Sequence, residues 1–405
     1  MNKLYKLIST IFLSISILTT PFFMSNVKAN SSTEAVYDPR GTYQSKLEPK
    51  SQIINGPCWA FASIASLETF LAKKNMLDGT LSEKHLLNWA HRGNNNPGWN
   101  CSISQGGAFR ASDAYFTSGN GPVLSKEMPY NTNDNVFDKR RDNITPKYFI
   151  KGLKMVDSDI KSLKSAISEY GAVTAGYKFN DKFEHGISII GWNNNLNKWL
   201  VKDSGSARGG YCWLPFSTKF YACYTFTDVE RYDSKKKIYQ HDEFGVYGAV
   251  NRLSNLCCAN VYNFEKSETL DSIMINSESA GANYSLYYAP VSNDGTPNQN
   301  PSTWIKLGSG KIPYRGYSTC NLECKPELPE GKGAIILRLN SENDLQVLSV
   351  GYTSCDDKAI HIAPKANISY ILSKGNFIDV NKLITSQKVS IHALSIKAIT
   401  VKNSR

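Results

Sequence analysis

The sequence predicts an α+β domain, built from a helical half and a β half, followed by an all-β sandwich of jelly-roll type. Three patterns support this prediction. Apolar residues recur at helical spacing in several segments up to residue 170. Strand-like runs follow from residue 171 to about residue 230. Beyond about residue 239, strand-like runs alternate with turns, which is typical of sandwiches. A chain of 405 residues is long enough for two domains.

The first domain, predicted over 37–230, begins with helices and ends with strands. The predicted helices cover 58–74, 81–89, 108–118 and 157–170. The predicted strands cover 171–177, 186–192, 199–202 and 211–215. A helical half that faces a β half leaves a cleft between them, and we expect the functional site in that cleft.

The second domain is predicted over 239–405, after a linker over 231–238 that contains three consecutive lysines. Its predicted strands cover 270–276, 284–290, 333–339, 345–352, 369–372 and 389–401. Turn residues at 293–295 and 330–333 separate some of these runs. The pattern indicates a sandwich and not a helical repeat.

The N-terminus has the pattern of a secretory signal peptide over 1–29. Lys3 and Lys6 precede a mostly apolar stretch, and small residues surround a cleavage site after Ala29. A short polar segment, 30–36, follows. No later segment is predicted to cross a membrane. We therefore expect a secreted or cell-surface protein.

The net charge of the chain is +11, and removal of the signal peptide leaves +8. A basic secreted protein is attracted to anionic cell-wall polymers, although such charge can also serve solubility alone. The sequence has no nucleic-acid-binding module and no dense stripe of basic and aromatic residues, so we expect no nucleic-acid partner.

Cys58 is the candidate nucleophile. It begins a predicted amphipathic helix, where unpaired N–H groups and the positive end of the helix dipole favour the thiolate form. Gln52, six residues earlier, can donate from its side-chain amide to a developing oxyanion. A glutamine, a short turn and a cysteine at a helix start are suited to acyl transfer. A buried structural cysteine is the alternative.

These residues resemble the signature of the papain-like cysteine peptidases, Q-x-x-C-G-x-C-W-A-F. The sequence keeps Gln52, Gly56, Cys58 and the following Trp-Ala-Phe. The resemblance implies a papain-like fold and an endopeptidase that acts on protein or peptide substrates through a Cys58 thioester, with no cofactor for catalysis. The family usually carries a long inhibitory pro-segment. The short stretch before residue 37 leaves no room for one, so we expect another means of control.

His185 is the candidate general acid and base. It begins an apolar strand 127 residues after Cys58, which is close to the spacing in the family. Asp203 stands where the family has an asparagine that orients the histidine, and Gly205 replaces a tryptophan that shields their hydrogen bond. A carboxylate can fill the orienting role. We expect the missing indole to let water reach the pair. A decayed triad is the alternative.

Two further features follow from the resemblance. Gly106 and Gly107 resemble a family loop whose backbone pairs with an extended substrate, which only glycine allows at close range. Asn55 replaces a family cysteine, so the usual disulfide to the Gly-Gly loop is absent and Cys101 needs another partner.

The chain has nine cysteines, which suggests one free thiol and up to four disulfides if the protein is secreted. Cys58 is the natural free thiol. Cys212 with Cys223, or Cys320 with Cys324, could form local bridges, but sequence alone does not define the pairing.

The second domain resembles the lectin-like domain that follows papain-like domains in some secreted clostridial-type peptidases. The matching segments are 246–250, 286–288, 331–337 and 391–393. The resemblance implies a glycan partner and a structural calcium ion. The acid-containing turns 293–294 and 356–357 are compatible with calcium, although such turns are more often only solvated surface.

Three functions remain open on this evidence. The first is a secreted cysteine endopeptidase. The second is a catalytically impaired papain-like protein that binds a surface or a glycan, which the changes at Asp203 and Gly205 make possible. The third keeps the thiol chemistry but transfers the acyl group to an amine instead of water.

Overall fold

The computed structural model describes residues 34–45, 47–91, 98–100, 106–131, 143–180, 183–205, 209–341, 347–354, 360–362, 365–383 and 390–403. The predicted signal peptide lies outside these ranges, as do Cys101 and Cys355 and the acidic turn 356–357. Within the described ranges, no helix is long and apolar enough to span a membrane.

The helices lie where the sequence predicts them. They are α1 (Cys58–Lys73), α2 (Glu83–Trp89), α3 (Phe109–Thr117) and α4 (Ile160–Tyr170). Local capping explains several of their ends. The Ser82 hydroxyl accepts from the His85 N–H at the start of α2, and the Asp159 carboxylate accepts from the Ser162 N–H at the start of α4. Gly171, with φ 99°, ends α4 in a conformation that favours glycine.

The strands of the first domain include every predicted one and two long strands that the sequence did not reveal. They are β1 (Val36–Tyr37), β2 (Gly98–Trp99), β3 (Tyr148–Met155), β4 (Val173–Lys178), β5 (Glu184–Asn193), β6 (Lys198–Asp203), β7 (Gly210–Pro215) and β8 (Phe220–Arg231). The unpredicted pair, β3 and β8, is antiparallel. α1 packs against β5, where the Ser66 hydroxyl donates to the Ser188 hydroxyl in the buried interface.

The second domain is a β-sandwich, as predicted. Its strands are β9 (Lys236–Tyr239), β10 (Gly248–Leu253), β11 (Asn255–Phe264), β12 (Glu268–Ser277), β13 (Asn283–Pro290), β14 (Ile305–Lys311), β15 (Gly316–Asn321), β16 (Glu327–Leu328), β17 (Gly331–Asn340), β18 (Val347–Ser354), β19 (Ile360–His361), β20 (Ser369–Ser373), β21 (Asn376–Asp379), β22 (Ile391–Leu394) and β23 (Ile396–Lys402). The run predicted over 389–401 is two strands, since β22 ends at Leu394 and β23 begins at Ile396, with Ser395 between them.

The two domains share one sheet. The strand order of the largest sheet in the described part of the chain is β7-β6-β5-β4-β8-β3-β15-β12-β23-β9. Its junction is the antiparallel pair β3 and β15, in which Leu153 lies opposite Tyr317. The backbone hydrogen bonds of that pair cross the domain boundary, so we expect the two domains to be held rigidly together.

The segment predicted as a linker is partly sheet. β8 extends to Arg231, and β9 pairs with β23 from Lys236 onward. The sequence did not predict this strand, because it contains lysines and charged residues are rare in strands. Two of these lysines have acidic partners, Lys236 with Glu230 and Lys237 with Glu265.

The core of the sandwich lies between β12, β15 and β23 on one side and a six-stranded sheet on the other. The strand order of the second sheet is β14-β13-β17-β11-β20-β21. Alternate residues of β17, such as Ile335 and Leu337, are fully buried in this core. Alternation places Ala334, Ile336 and Arg338 on the opposite, outer face of the sheet.

Candidate active site

Cys58 is the first residue of α1, as predicted. Pro57 precedes it, and in the described structure no side chain caps this helix start. The first N–H groups of the helix therefore remain available beside the thiol, and they favour a negative charge there. Gly56, with φ 115°, makes the turn that leads into the helix.

The structure brings His185 to Cys58. His185 is the second residue of β5, and its side chain interacts with Cys58 and hydrogen-bonds with Asp203. The next residue explains the close approach of the strand to the helix. A Cβ atom on Gly186 would lie 3.1 Å from the carbonyl carbon and oxygen of Cys58, which is tighter than ordinary packing. Glycine at 186 thus lets the strand place His185 beside the nucleophile.

Asp203 lies at the end of β6 and accepts a hydrogen bond from His185. The Nε2–Oδ1 distance is 2.7 Å. The same Oδ1 accepts from the Gly205 N–H at 2.7 Å, and the Cys212 thiol lies 3.9 Å from Oδ2. Asp203 therefore lies in hydrogen-bond contact with His185, and its orienting role in catalysis stays a prediction.

The pair is better shielded than the missing tryptophan suggested. Only 15% of the His185 side chain and 24% of the Asp203 side chain is exposed. The backbone of Gly205 lies directly on the pair, since a Cβ atom there would be 3.0 Å from His185 Cε1 and 3.1 Å from Asp203 Oδ1. The remaining exposure of both side chains leaves some contact with water, so the expected effect of the missing indole stays a prediction.

The electrostatics favour an imidazolium beside a carboxylate. Burial lowers the pKa of His185, but its hydrogen bonds with Asp203 and Cys58 outweigh burial and raise the pKa to about 9. Burial raises the pKa of Asp203, but the hydrogen bonds from His185 and Gly205 hold it below its usual value. Both groups are therefore charged at neutral pH.

Gln52 is held in a fixed orientation beside the turn before Cys58. The Ser204 hydroxyl donates to its Oε1 at 2.8 Å, and its Nε2 donates to the Ile54 carbonyl at 3.0 Å. The Gln52 N–H also donates to the Ser204 carbonyl at 3.0 Å. Ile53 has a φ of 61°, a strained conformation for a β-branched residue, which bends the chain between Gln52 and Ile54. The role of Gln52 in an oxyanion hole stays a prediction.

A buried ionic cluster anchors the segment that carries Gln52. Lys50 Nζ lies 2.8 Å from Glu68 Oε1 on α1 and 2.8 Å from Glu83 Oε1 on α2. Both carboxylates are almost fully buried. Burial lowers the pKa of Lys50, but the two carboxylates outweigh burial and raise it. The cluster ties three elements together behind the site.

Gly106 and Gly107 lie beside the residues that flank Cys58 in the sequence. A Cβ atom on Gly107 would lie 2.5 Å from the indole of Trp59, and one on Gly106 would lie 3.8 Å from the carbonyl oxygen of Gly56. Gly106 has a φ of 87°, which favours glycine. Both glycines are thus adjacent to the nucleophile, and their pairing with substrate stays a prediction.

Sequence reasoning missed three contributors to the site. Ser204 orients Gln52, and the sequence could have indicated this residue because it directly follows Asp203. Cys212 contacts Asp203 from β7, and no sequence signal marked it. Tyr221 donates to Glu184, the neighbour of His185, at 2.8 Å. Its ring lies over Gly176, where a Cβ atom would be 2.6 Å from it.

The disulfides suggested above do not form. All seven cysteines that the structure describes are unpaired: Cys58, Cys212, Cys223, Cys257, Cys258, Cys320 and Cys324. Cys320 is buried in the sandwich core whereas Cys324 is exposed, and Cys212 is directed at Asp203. Burial, with the nearby Asp203 carboxylate, raises the pKa of Cys212 to about 11, so this thiol is protonated at neutral pH.

Comparisons with known proteins agree with this geometry. Residues 35–218 match the family model of the papain family cysteine proteases, and residues 238–400 match that of the lectin-like domain. A search of curated proteins gave no match.

Two solved structures resemble nearly the whole chain. The clostridial cysteine protease Cwp84 after propeptide cleavage has 27% sequence identity and a TM-score of 0.81, with 91% of this chain and 99% of that chain covered. The cysteine protease and lectin-like domains of Cwp84, a surface layer associated protein of Clostridium difficile, have 27% identity and a TM-score of 0.82, with 92% of this chain and 89% of that chain covered. The chain is therefore a cysteine peptidase of the papain family that carries a C-terminal lectin-like domain.

Proposed function

We propose that this peptidase is a secreted or cell-surface endopeptidase that hydrolyses extracellular or cell-surface proteins through a Cys58 thioester. The main support is that His185 interacts with Cys58 at the start of α1 and hydrogen-bonds with Asp203 at 2.7 Å. A thiol at a helix N-terminus, beside an imidazolium that a carboxylate orients, is the arrangement that activates a cysteine nucleophile.

The proposed reaction has two stages. The Cys58 thiolate attacks the carbonyl carbon of the scissile peptide bond, and the Gln52 amide with the Cys58 N–H stabilises the oxyanion. His185 then protonates the leaving amine as the C–N bond breaks, which leaves a thioester. Neutral His185 next removes a proton from water, the resulting hydroxide attacks the thioester, and the thiolate departs from the product acid.

Replacing the nucleophile tests this function. We expect Cys58→Ala to abolish cleavage of an internally quenched peptide and to leave the melting temperature within a few degrees of wild type. Cys324→Ala is the matched control, because Cys324 is exposed and lies in the second domain. Undiminished cleavage by Cys58→Ala, or equal loss in both variants, would refute the proposal.

The second proposal is the impaired binding protein, which the substitutions at Asp203 and Gly205 motivate. It predicts a folded wild-type protein that cleaves no peptide and binds a surface. The acyl-transfer alternative predicts amine incorporation that exceeds hydrolysis on the same peptide. Product analysis with and without an added amine separates the three possibilities.

The second domain supports a surface role. The lectin-like match and the basic charge favour binding to a glycan or an anionic cell-wall polymer. Sedimentation with purified cell walls tests this role. Equal sedimentation of an unrelated control protein would argue against specific binding.

A structural calcium ion remains a further proposal for this domain. Asp294 is exposed, and its Oδ1 accepts from the N–H and hydroxyl of Thr296. The structure shows no group of three or more acidic, histidine or cysteine side chains within its described ranges that could hold a metal. A melting temperature that EGTA leaves unchanged would refute the proposal.

A further inference from the structure

We infer that the outer face of the six-stranded sheet binds the carboxylate or phosphate groups of an anionic polysaccharide. The inference rests on the proposed surface role of the second domain and assigns a site to it. The residues concerned are Tyr287 on β13, Trp304, Lys306 on β14 and Arg338 on β17, which we call the arginine platform.

Strand pairing places these side chains together. Arg338 lies directly opposite Cys257 on β11 and opposite Ser285 on β13. Tyr287, two residues after Ser285, lies directly opposite Lys306 on β14. Residues that are directly opposite in a sheet share a face, and residues two apart on one strand also share it. The platform is therefore on the side of the sheet that faces away from the sandwich core.

Two aromatic rings hold the guanidinium group. Its central carbon lies 4.7 Å from the centre of the Trp304 ring and 5.5 Å from the centre of the Tyr287 ring. Trp304 is itself fixed, because its Nε1 donates to the Asn298 carbonyl at 2.7 Å. Stacking of this kind restrains the plane of a guanidinium group. The conformational cost of binding is thus reduced before a ligand arrives. The Arg338 guanidinium also interacts with the thiol of Cys257 on β11, and a single thiol leaves most of its five N–H donors available.

The platform lacks a negative partner of its own. Among the residues that the structure describes, no carboxylate lies within salt-bridge distance of Arg338 or Lys306. Arg40, Arg231 and Arg315 each have an aspartate partner instead. Arg338 is half-buried, and Lys306 beside Tyr287 is exposed. The platform thus presents one fixed and one mobile cation on a surface with aromatic walls.

The chemistry of the platform identifies the kind of ligand. A planar guanidinium edge matches the two oxygens of a carboxylate or phosphate group. A single anion at so open a site would bind weakly, because solvent and salt screen exposed charges. A polymer with repeated anions overcomes this weakness, since neighbouring groups engage Arg338 and Lys306 together at high effective concentration. The tryptophan and tyrosine rings offer apolar surface to the sugar rings between those anions.

Binding to defined polymers tests the inference. Immobilised polygalacturonate supplies carboxylates, a glycerol-phosphate teichoic acid supplies phosphates, and neutral dextran is the control. We expect the full chain to bind at least one anionic polymer and not dextran. Arg338→Gln should weaken that binding at least tenfold, and Arg338→Lys severalfold, because lysine keeps the charge but loses the planar fork. Which polymer binds distinguishes the two anion sources.

A matched variant controls for overall charge. Arg252 is a half-exposed arginine on β10, in a different sheet, so Arg252→Gln removes one positive charge elsewhere. It should change affinity less than threefold. Equal loss in both variants, binding to dextran, or equal binding to poly-L-glutamate would overturn the inference. Cleavage of a soluble peptide should be unchanged in both variants, so a failed platform is distinguishable from a failed peptidase.

Discussion

Replacing Asp203 with asparagine removes a charge from the active site and keeps a hydrogen-bond acceptor. Oδ1 of Asp203 accepts from His185 Nε2 and from the Gly205 N–H, both at 2.7 Å. An asparagine Oδ1 can accept both bonds, and the Gly205 N–H excludes the flipped amide because two donors would then meet. Asp203→Asn therefore tests what the negative charge contributes.

The expected effect follows from the strength of charged hydrogen bonds. A hydrogen bond to a charged group contributes roughly 1.5–3 kcal/mol, against about 1 kcal/mol for a neutral pair. The difference of roughly 0.5–2 kcal/mol corresponds to about one pKa unit. With Asp203 in place the pKa of His185 is about 9, and the imidazolium is lost as the pH rises through that value. Removing the charge lowers this pKa, so the imidazolium is lost at a lower pH.

The pH dependence of kcat/KM for a peptide substrate is the assay. We expect the alkaline limb of Asp203→Asn to move about one pH unit toward neutrality. At about pH 6, where His185 is protonated in both proteins, the activity should fall less than about tenfold. Asp203→Ala, which also removes the acceptor, should lose roughly a hundredfold or more at every pH. An alkaline limb that stays in place or moves upward in Asp203→Asn would refute this account of His185.

Two other substitutions test contacts around the site and between the domains. Ser204→Ala should release the Gln52 amide and lower kcat by about tenfold with little change in KM, because in the proposed reaction Gln52 stabilises the oxyanion and does not bind substrate. An unchanged kcat would contradict this role. Lys397→Met should leave the buried Asp242 without its cation, which lies 3.5 Å away. We expect the free energy of unfolding to fall by roughly 3–5 kcal/mol. Urea denaturation should show this loss in one cooperative transition. An unchanged midpoint, or separate transitions for the two domains, would contradict that expectation.

Much of the site could be predicted because its signals are local. Cys58 begins an apolar helix and His185 begins an apolar strand, so short segments revealed both. The helix is buried on nearly every side, in contrast to the amphipathic helix that the sequence predicted. The predicted orienting role of Asp203 came from the family resemblance, because Asp203 stands where the family has an asparagine. In contrast, the shielding by Gly205 depends on where the backbone runs after β6, and a glycine side chain gives no signal of it.

The shared sheet could not be predicted because its partners are distant in sequence. In β3, Lys151 and Lys154 interrupt the apolar pattern, and the partner strand β15 lies more than 160 residues away. Lys397 is equally unexpected, since lysine is rarely fully buried. It is fully buried because its ammonium group has partners: the Thr117 carbonyl accepts from it across the domain boundary, and the Gln240 amide oxygen accepts from it within the second domain.

The central claim is that Cys58 alone among the cysteines is an activated nucleophile. The most direct test is mass spectrometry of the native protein after brief reaction with iodoacetamide at about pH 6, where ordinary thiols are protonated. We predict one adduct, located on Cys58, and its strong reduction in a His185→Ala variant. Faster labelling of the exposed Cys324, or no adduct on Cys58, would contradict the account.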